Sequence, residues 1–184
     1  YIPTGGAEEG DRIILTKGAG IEGAGIIATD FLAEVEGRVA PELIEEGRSK
    51  MEMLSVIPEA EILRGFAHSM HDPTEGGIVD GLMEMAVASG AAINIDPDSV
   101  IISRDTRELC GAMGVDPMKI FSSGALLAAV PAERVEDAMD KLEKKKIPAS
   151  VIGSVEKAQF PVIRMGDDIY REPVRDQLYD LWED

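Results

Sequence analysis

The chain has 184 residues, a hydrophobic fraction of 45% and a formal net charge of −17. This length and composition allow one large domain or two small ones with a sizeable core. The carboxylate excess repels polyanions, which argues against binding to nucleic acid or to an anionic membrane surface. The single cysteine, Cys110, cannot form an intrachain disulfide, which is in keeping with a reducing, cytoplasmic setting.

Hydrophobic periodicity predicts short strands and helices in the first part of the chain. Pro41 and Pro58 suit the first turns of helices, because proline lacks the N–H that a first turn leaves unpaired. In chain order, the predicted elements are a strand over 11–17, helices over 21–36, 41–51 and 58–66, and a strand over 67–70.

The second part continues the alternation. Gly90 is a natural helix stop, and residues 166–168 are typical of a hairpin turn. The predicted elements are a helix over 78–89, strands over 91–95 and 100–102, a helix over 104–113, a strand over 125–130, a helix over 131–145, strands over 150–155, 160–165 and 169–171, and a weak helix over 174–182. This mixture predicts a layered α/β or α+β domain.

Three glycine-bearing loops are the candidates for chemistry: a first loop (residues 17–23), a second loop (71–77, HDPTEGG) and a third loop (122–124). Glycine lets a ligand approach the backbone closely. The free N–H groups of a helix's first turn favour anions. These loops therefore offer an acidic protein a route to phosphate binding.

The first loop, KGAGIEG, does not match the phosphate loop of nucleotide hydrolases, because it lacks the Gly-Lys-Ser/Thr ending. Gly18, Gly20 and Gly23 have the GxGxxG spacing of dinucleotide sites. That spacing is weak evidence alone, and the parallel strand–helix–strand unit that it requires is not visible in the pattern.

The second loop admits two interpretations. Asp72 and Thr74 are good helix-capping residues, so the segment is equally explained as a well-capped helix start. Histidine is the residue type whose charge changes near neutral pH, which makes His71 and the adjacent Asp72 the candidate catalytic residues, although a lone histidine is more often structural. His68 and His71 lack the further partners of a zinc site, so we predict no metal site of that kind.

The third loop precedes the most apolar predicted strand. Ser122 and Ser123 have hydroxyls that can cap a backbone or contact a phosphate. The Gly-x-Ser-x-Gly pattern of a nucleophilic serine is absent. Cys110 lies within a predicted helix and is expected to be an inert core residue.

Taken in order, these motifs resemble the C-terminal domain of the AIR synthase-related (PurM-like) superfamily. The likeness is strongest to its hydrogenase expression/formation (HypE) branch and to archaeal AIR synthase-related proteins. The segments that carry it are residues 10–31, 70–86, 114–131 and 151–155. Together they extend over nearly the whole chain.

The resemblance implies a three-layer α/β/α domain with a mixed sheet and partial ferredoxin-like topology. It implies a linker over 1–10 from an N-terminal ATP-binding domain, the C-terminal domain over 11–172 and a tail helix over 173–184. ATP and Mg²⁺ are the implied cofactors, bound mostly by that N-terminal domain. A homodimer and a maturation partner protein are also implied, and the fragment alone is not expected to be active.

The implied function is one half of an ATP-dependent enzyme that closes over a phosphate-bearing ligand between domains. The residues expected to face that ligand are Lys17, Asp72, Thr74, Gly76, Gly77, Ser122, Ser123 and Gly124. Two departures from the maturation branch keep alternatives open: the chain ends without a cysteine, and Glu75 stands where that branch has arginine. The alternatives are a non-catalytic binding or assembly module and half of a small-metabolite kinase.

Overall fold

The computed structural model describes residues 1–183, in which a single mixed sheet is flanked by helices. The strands are β1 (Arg12–Thr16), β2 (Ser69–His71), β3 (Ala91–Ile95), β4 (Leu127–Val130), β5 (Ala149–Lys157), β6 (Val162–Met165) and β7 (Asp168–Tyr170). The helices are α1 (Ile21–Asp30), α2 (Leu32–Val35), α3 (Pro41–Ser49), α4 (Ile57–Leu63), α5 (Gly77–Ser89), α6 (Arg104–Met113), α7 (Val135–Lys144) and α8 (Leu178–Glu183).

The sheet has the order β2-β4-β1-β5-β3-β6-β7. Strands β3 and β6 run parallel, and every other neighbouring pair is antiparallel. Strand β1, which leads into the first loop, is therefore antiparallel to both of its neighbours. This arrangement excludes the parallel unit of a dinucleotide fold for the first loop.

Alternation along β1 explains the layers, because successive side chains of a strand point to opposite faces. Ile13 and Leu15 pack in a core cluster with α5, whereas Ile14 packs in a second cluster with residues of α4 and α7. Both faces of the sheet are thus covered by helices. The predicted α/β class with a mixed sheet between helical layers is confirmed.

A third apolar cluster joins α1, α3 and α6. Leu109 of α6 and Leu178 of α8 are both fully buried in it. The C-terminal helix is consequently part of the core.

Two predicted elements differ from the structure in more than the positions of their ends. The helix expected over 21–36 is divided at Phe31, which leaves helical geometry (φ −110°, ψ 31°) and packs its ring 5.7 Å from that of Trp182. The strand expected over 100–102 does not form. The Ile101 carbonyl instead accepts the N–H of Ala19 at 2.9 Å, so its backbone supports the first loop.

The first ten residues pack against the domain. The Pro3 carbonyl accepts the Met70 N–H at 3.1 Å, and the Gly10 N–H donates to the Val155 carbonyl at 3.0 Å. The segment over 1–10 is therefore in contact with the domain, and the boundaries at residues 10 and 172 stay predictions. The origin of residues 1–10 as an interdomain linker stays a prediction.

Gly153 of β5 lies where the β1–β5 register shifts, and a Cβ there would lie 2.1 Å from the Asn94 carbonyl oxygen of β3. We expect Gly153→Ala to lower the free energy of unfolding by about 2 kcal/mol or more, because neighbouring backbone must move. Gly111→Ala is the control, since a Cβ at that exposed helical position meets nothing within 4 Å. Alanine there should stabilise by up to about 1 kcal/mol, and urea denaturation measures both. Equal effects of the two substitutions would contradict the close approach of β3 and β5.

Candidate functional site

The three loops predicted from the sequence meet in space. The Gly20 N–H of the first loop donates to the Ser122 hydroxyl of the third at 2.9 Å. The Ser122 N–H donates in turn to the Thr74 carbonyl of the second loop at 3.2 Å. The first and third loops, 102 residues apart at this bond, are thus joined to each other and to the second loop.

Asp72 is the carboxylate at this meeting point. One of its oxygens, Oδ1, is buried and has no hydrogen-bond partner within residues 1–183. Burial raises the pKa of the Asp72 carboxyl, and nearby Glu22 raises it further, against lowering by His71, Lys17 and a hydrogen bond from the Gly124 backbone. A buried carboxylate oxygen without a donor is costly. Glu59 and Asp105 also have such an oxygen, but these two carboxylates form ion pairs with Lys17 and Lys50. Asp72 has no ion pair within residues 1–183, so the protein itself does not compensate its cost.

His71, the other candidate catalytic residue, is held by the protein through both ring nitrogens. Its Nδ1 lies 3.2 Å from the Thr4 hydroxyl. Its Nε2 lies 2.5 Å from a Glu84 carboxylate oxygen, which is an ion pair when the ring is protonated. The imidazole and the carboxylate are not aligned for a hydrogen bond. These contacts tie strand β2 to the N-terminal segment and to α5, and they leave Asp72 as the better candidate for chemistry.

The start of α5 differs from the predicted cap. Neither Asp72 nor Thr74 caps this helix: its N-cap is Gly76, which has a φ of 71° and no capping side chain of its own. The Gly76 N–H donates to an oxygen of Asp176 at 2.9 Å, and the Gly77 N–H donates to the Thr74 carbonyl at 3.1 Å. The N–H groups of these two glycines, predicted to face a phosphate, are therefore engaged within the protein.

Asp176 was missed by sequence reasoning, since nothing local distinguishes it from the chain's other acids. It is fully buried, and its second oxygen accepts the Leu178 N–H at 2.9 Å. Burial raises the pKa of Asp176, while its two backbone hydrogen bonds, from Leu178 and Gly76, lower it. Only the folded position of the C-terminal segment brings it to α5.

Lys17 serves a structural contact. Its Nζ lies 2.8 Å from Glu59 Oε1 and donates to the Met53 and Ser55 carbonyls at 2.9 Å each. An ammonium group has three N–H donors, so these contacts use all of them. The cation predicted for a phosphate instead clamps the segment before α4 onto the first loop.

The third loop divides into structural and accessible parts. Ser122 is fully buried, and its hydroxyl, besides accepting from Gly20, donates to the Ile120 carbonyl at 3.0 Å. Ser123 is partly exposed. Gly124 has a φ of 98°, and a Cβ there would lie 2.8 Å from the Met53 carbonyl oxygen. Ser122 therefore orders the loops, while Ser123 remains available at their surface.

Cys110 is confirmed as a buried core residue, with 1% of its surface exposed. Burial raises the pKa of its thiol to about 12, with Asp116 and Asp105 adding to the rise. Because the thiolate is the reactive form, this cysteine is inert at neutral pH.

A comparison of the sequence with known protein families identifies the family of this chain. Residues 8–166 match the family described as AIR synthase related protein, C-terminal domain. The chain belongs to this family. The predicted resemblance to AIR synthase-related proteins is thus confirmed over most of the sequence.

Two relatives illustrate the similarity in sequence. This AIR synthase-related domain is 32% identical over 164 residues to a Methanocaldococcus jannaschii protein named as a hydrogenase expression/formation protein, a match covering 85% of this chain and 45% of the relative. It is 27% identical over 161 residues to the carbamoyl dehydratase HypE of Azotobacter vinelandii, covering 86% and 45%. The chain therefore spans less than half the length of these relatives.

Solved structures share the fold. HypE in complex with ATP superposes with a TM-score of 0.70 at 23% identity, over 96% of this chain and 54% of that chain. ThiL complexed with AMPPCP and TMP gives 0.72 at 18%, over 96% and 54%. A HypE–HypF complex gives 0.70 at 19%, over 95% and 56%.

Two further features bear on ligands of the AIR synthase-related domain. Residues 1–183 contain no cluster of three or more His, Cys, Asp or Glu side chains arranged to hold a metal ion. Within the same residues, no helix has the length and apolar character needed to cross a bilayer.

The contrast between Asp72 and Asp176 is testable through stability. Asp72→Asn should raise the free energy of unfolding at pH 7 by about 1 kcal/mol, because it removes a carboxylate with an unsatisfied oxygen. Since the folded-state pKa of Asp72 is raised, the wild-type protein gains stability as the pH falls toward 4. The advantage of the asparagine variant should shrink accordingly, as measured by urea denaturation across pH.

Asp176→Asn is the control with the same charge change. Both oxygens of Asp176 accept backbone N–H groups, and the amide nitrogen of asparagine cannot accept one. Asp176→Asn should therefore destabilise the protein at pH 7, because it leaves a buried N–H without its acceptor. An Asp72→Asn variant that is less stable than wild type would show that Asp72 serves the fold alone.

Proposed function

We propose that this domain forms one wall of a binding site for a magnesium-bound, phosphate-bearing ligand such as ATP, in an ATP-dependent enzyme. The observation that carries the proposal is the buried, unpartnered Asp72 oxygen where the three loops meet. A fold tolerates such an atom where a ligand, metal ion or water completes it. The family relation and the ATP-bound HypE structure of the same fold support this assignment.

Charge argues for a metal-bound ligand over free phosphate. Glu22 lies close enough to raise the pKa of Asp72, and exposed Glu75 adds a third carboxylate in the second loop. His71 and Lys17 lower the pKa of Asp72, but each already contacts a glutamate of its own, Glu84 and Glu59 respectively. A bare phosphate would be repelled here, whereas a divalent cation between carboxylate and phosphate turns the repulsion into attraction.

The donor set suits Mg²⁺. This ion commonly takes one or two protein carboxylates and completes its shell with substrate phosphates and water, which fits a site that offers Asp72 with Glu22 nearby. When bound, Mg²⁺ neutralises phosphate charge. Asp72 holds and orients the ligand, Ser123 and Thr74 offer hydroxyls to it, and the backbone of the third loop limits its access to water.

The remaining parts of the site lie in a second domain under this proposal. The relatives are more than twice as long as the matched region, and we infer that an N-terminal ATP-binding domain supplies most ligands to the nucleotide and Mg²⁺. This domain alone would then be inactive. A cytoplasmic homodimer, and a maturation partner such as the one in the HypE–HypF complex, complete the proposed assembly.

A second candidate is a binding or assembly module without catalysis. It is favoured by the engagement of the Gly76 N–H with Asp176 and of Lys17 with Glu59, because both groups were expected to serve a phosphate. Such a module would keep the fold without turnover. ATP hydrolysis by the two-domain protein separates the candidates, since a module yields no turnover above that of a heat-denatured sample.

The decisive variant is Asp72→Asn in the two-domain protein. We expect it to weaken MgATP binding about tenfold or more, equivalent to about 1.4 kcal/mol, because an amide is a poor Mg²⁺ ligand. Isothermal titration calorimetry with MgATP measures the effect, and EDTA should produce a similar loss in the wild-type protein.

Asp98→Asn is the matched control, since Asp98 is an exposed acid in a turn that follows β3. The Asp98→Asn variant should bind MgATP with the same affinity as the wild-type protein. If Asp72→Asn binds MgATP as tightly as this control, Asp72 is not part of a nucleotide site.

A further inference from the structure

A second surface, at the opposite edge of the sheet, has the features of a docking site. The β6–β7 hairpin ends the strand order, so β7 has one edge without a neighbouring strand within residues 1–183. Beside it lies a hollow of about 220 Å³ lined by Lys157, Phe160, Arg164, Ile169 and Arg171 among others. None of these residues belongs to the three-loop site.

The register of the strands explains how these side chains come together. Arg164 of β6 is directly opposite Ile169 of β7 and beside Asn94 of β3, so the three side chains lie on the same face. Ile163 and Met165, the residues before and after Arg164 in β6, are buried on the other face. The face with Arg164 and Ile169 is the one that core packing leaves open here.

Apolar exposure at this hollow is high. Phe160 has 68% and Ile169 has 56% of its surface exposed. Adjacent apolar side chains with more than half of their surface exposed, surrounded by charged residues, are typical of protein interaction surfaces. A partner that covers them needs at least one apolar side chain.

Charge at the hollow is opposite to that of the whole chain. Three cations line it, Lys157, Arg164 and Arg171, and its lining within the described residues includes no carboxylate. Arg164 contacts Glu156 at 3.3 Å, with about half of each side chain exposed, so solvent screens that pair strongly. A chain with a net charge of −17 thus presents a local positive surface around an apolar centre.

We propose that this β7 hollow docks an extended acidic segment of a partner protein, with an apolar side chain inserted between Phe160 and Ile169. The free edge of β7 offers backbone groups to an added strand. Carboxylates of the segment meet Lys157, Arg164 and Arg171. This proposal is independent of the nucleotide site, because the two surfaces share no residue.

A peptide fits this surface better than a polyanion or a membrane. Nucleic acid carries charge along its whole length, so it would extend past three cations onto the acidic remainder of the surface and be repelled. An anionic membrane surface is broad and would likewise be repelled by the acidic remainder of a chain with a net charge of −17. A short segment that alternates acidic and apolar residues satisfies both the cations and the apolar centre.

The test uses the protein described here and a fluorescein-labelled synthetic peptide in which glutamate alternates with valine around a central phenylalanine. Fluorescence anisotropy should show saturable binding that weakens as salt is raised. Arg164→Glu combined with Arg171→Glu should reduce affinity about tenfold or more, because two attractive contacts become repulsive. Arg171→Glu alone, at a residue beyond the last strand, should give a smaller loss and guards against misfolding of the double variant.

Matched controls separate the hollow from general effects. Lys144→Glu with Lys145→Glu makes the same charge change at exposed positions at the end of α7, and should leave affinity within about twofold. Ile169→Ser should weaken binding, whereas Val87→Ser, at an equal exposure of 56%, should not. The proposal is overturned if the peptide does not bind, if the control variants weaken it equally, or if anionic phospholipid vesicles or single-stranded DNA bind the same surface as tightly.

Discussion

The candidate site depends on one buried hydroxyl. Ser122 Oγ accepts the Gly20 N–H and donates to the Ile120 carbonyl, while the Ser122 N–H donates to the Thr74 carbonyl. The bonds to Gly20 and Thr74 join Ser122 to the other two loops, and the side chain is excluded from water. Loss of the hydroxyl would leave a buried donor unpaired, which typically costs about 1–3 kcal/mol. The relative positions of the three loops, and with them the environment of Asp72, follow from this arrangement.

Two buried carboxylates near Ser122, those of Asp72 and Asp176, differ in whether the protein supplies hydrogen-bond donors to their oxygens. Burial raises the pKa of both Asp72 and Asp176. Each oxygen of Asp176 accepts a backbone N–H, so its cost is offset by capping α5 and fastening the C-terminal segment. Asp72 retains a buried oxygen without a donor in the described residues. This difference in hydrogen bonding is the physical reason why we assign Asp72 to ligand binding and Asp176 to structure.

The sheet separates the two surfaces that we assign to binding. The three loops lie at the ends of β1 and β2 and before β4, toward one edge of the strand order, and the β7 hollow lies at the other edge. Their chemistry also differs, since the first gathers carboxylates and the second gathers cations around apolar side chains. A protein with this layout can hold a small ligand at one edge while a partner is docked at the other.

The sequence by itself determined the fold class, most strands and helices, the inert buried cysteine and the three glycine loops. These features follow from local spacing, apolar alternation and the backbone freedom of glycine. Only the tertiary structure decided how the loop residues are used. Lys17 forms an ion pair with Glu59 because the fold brings α4 to the first loop. The Gly76 N–H donates to Asp176 because Leu178, buried in the core, holds the C-terminal segment close to α5. The partners of both groups are distant in sequence, so no local pattern can identify them. The unpartnered oxygen of Asp72 is also a product of the tertiary structure, because it depends on where the neighbouring donors lie.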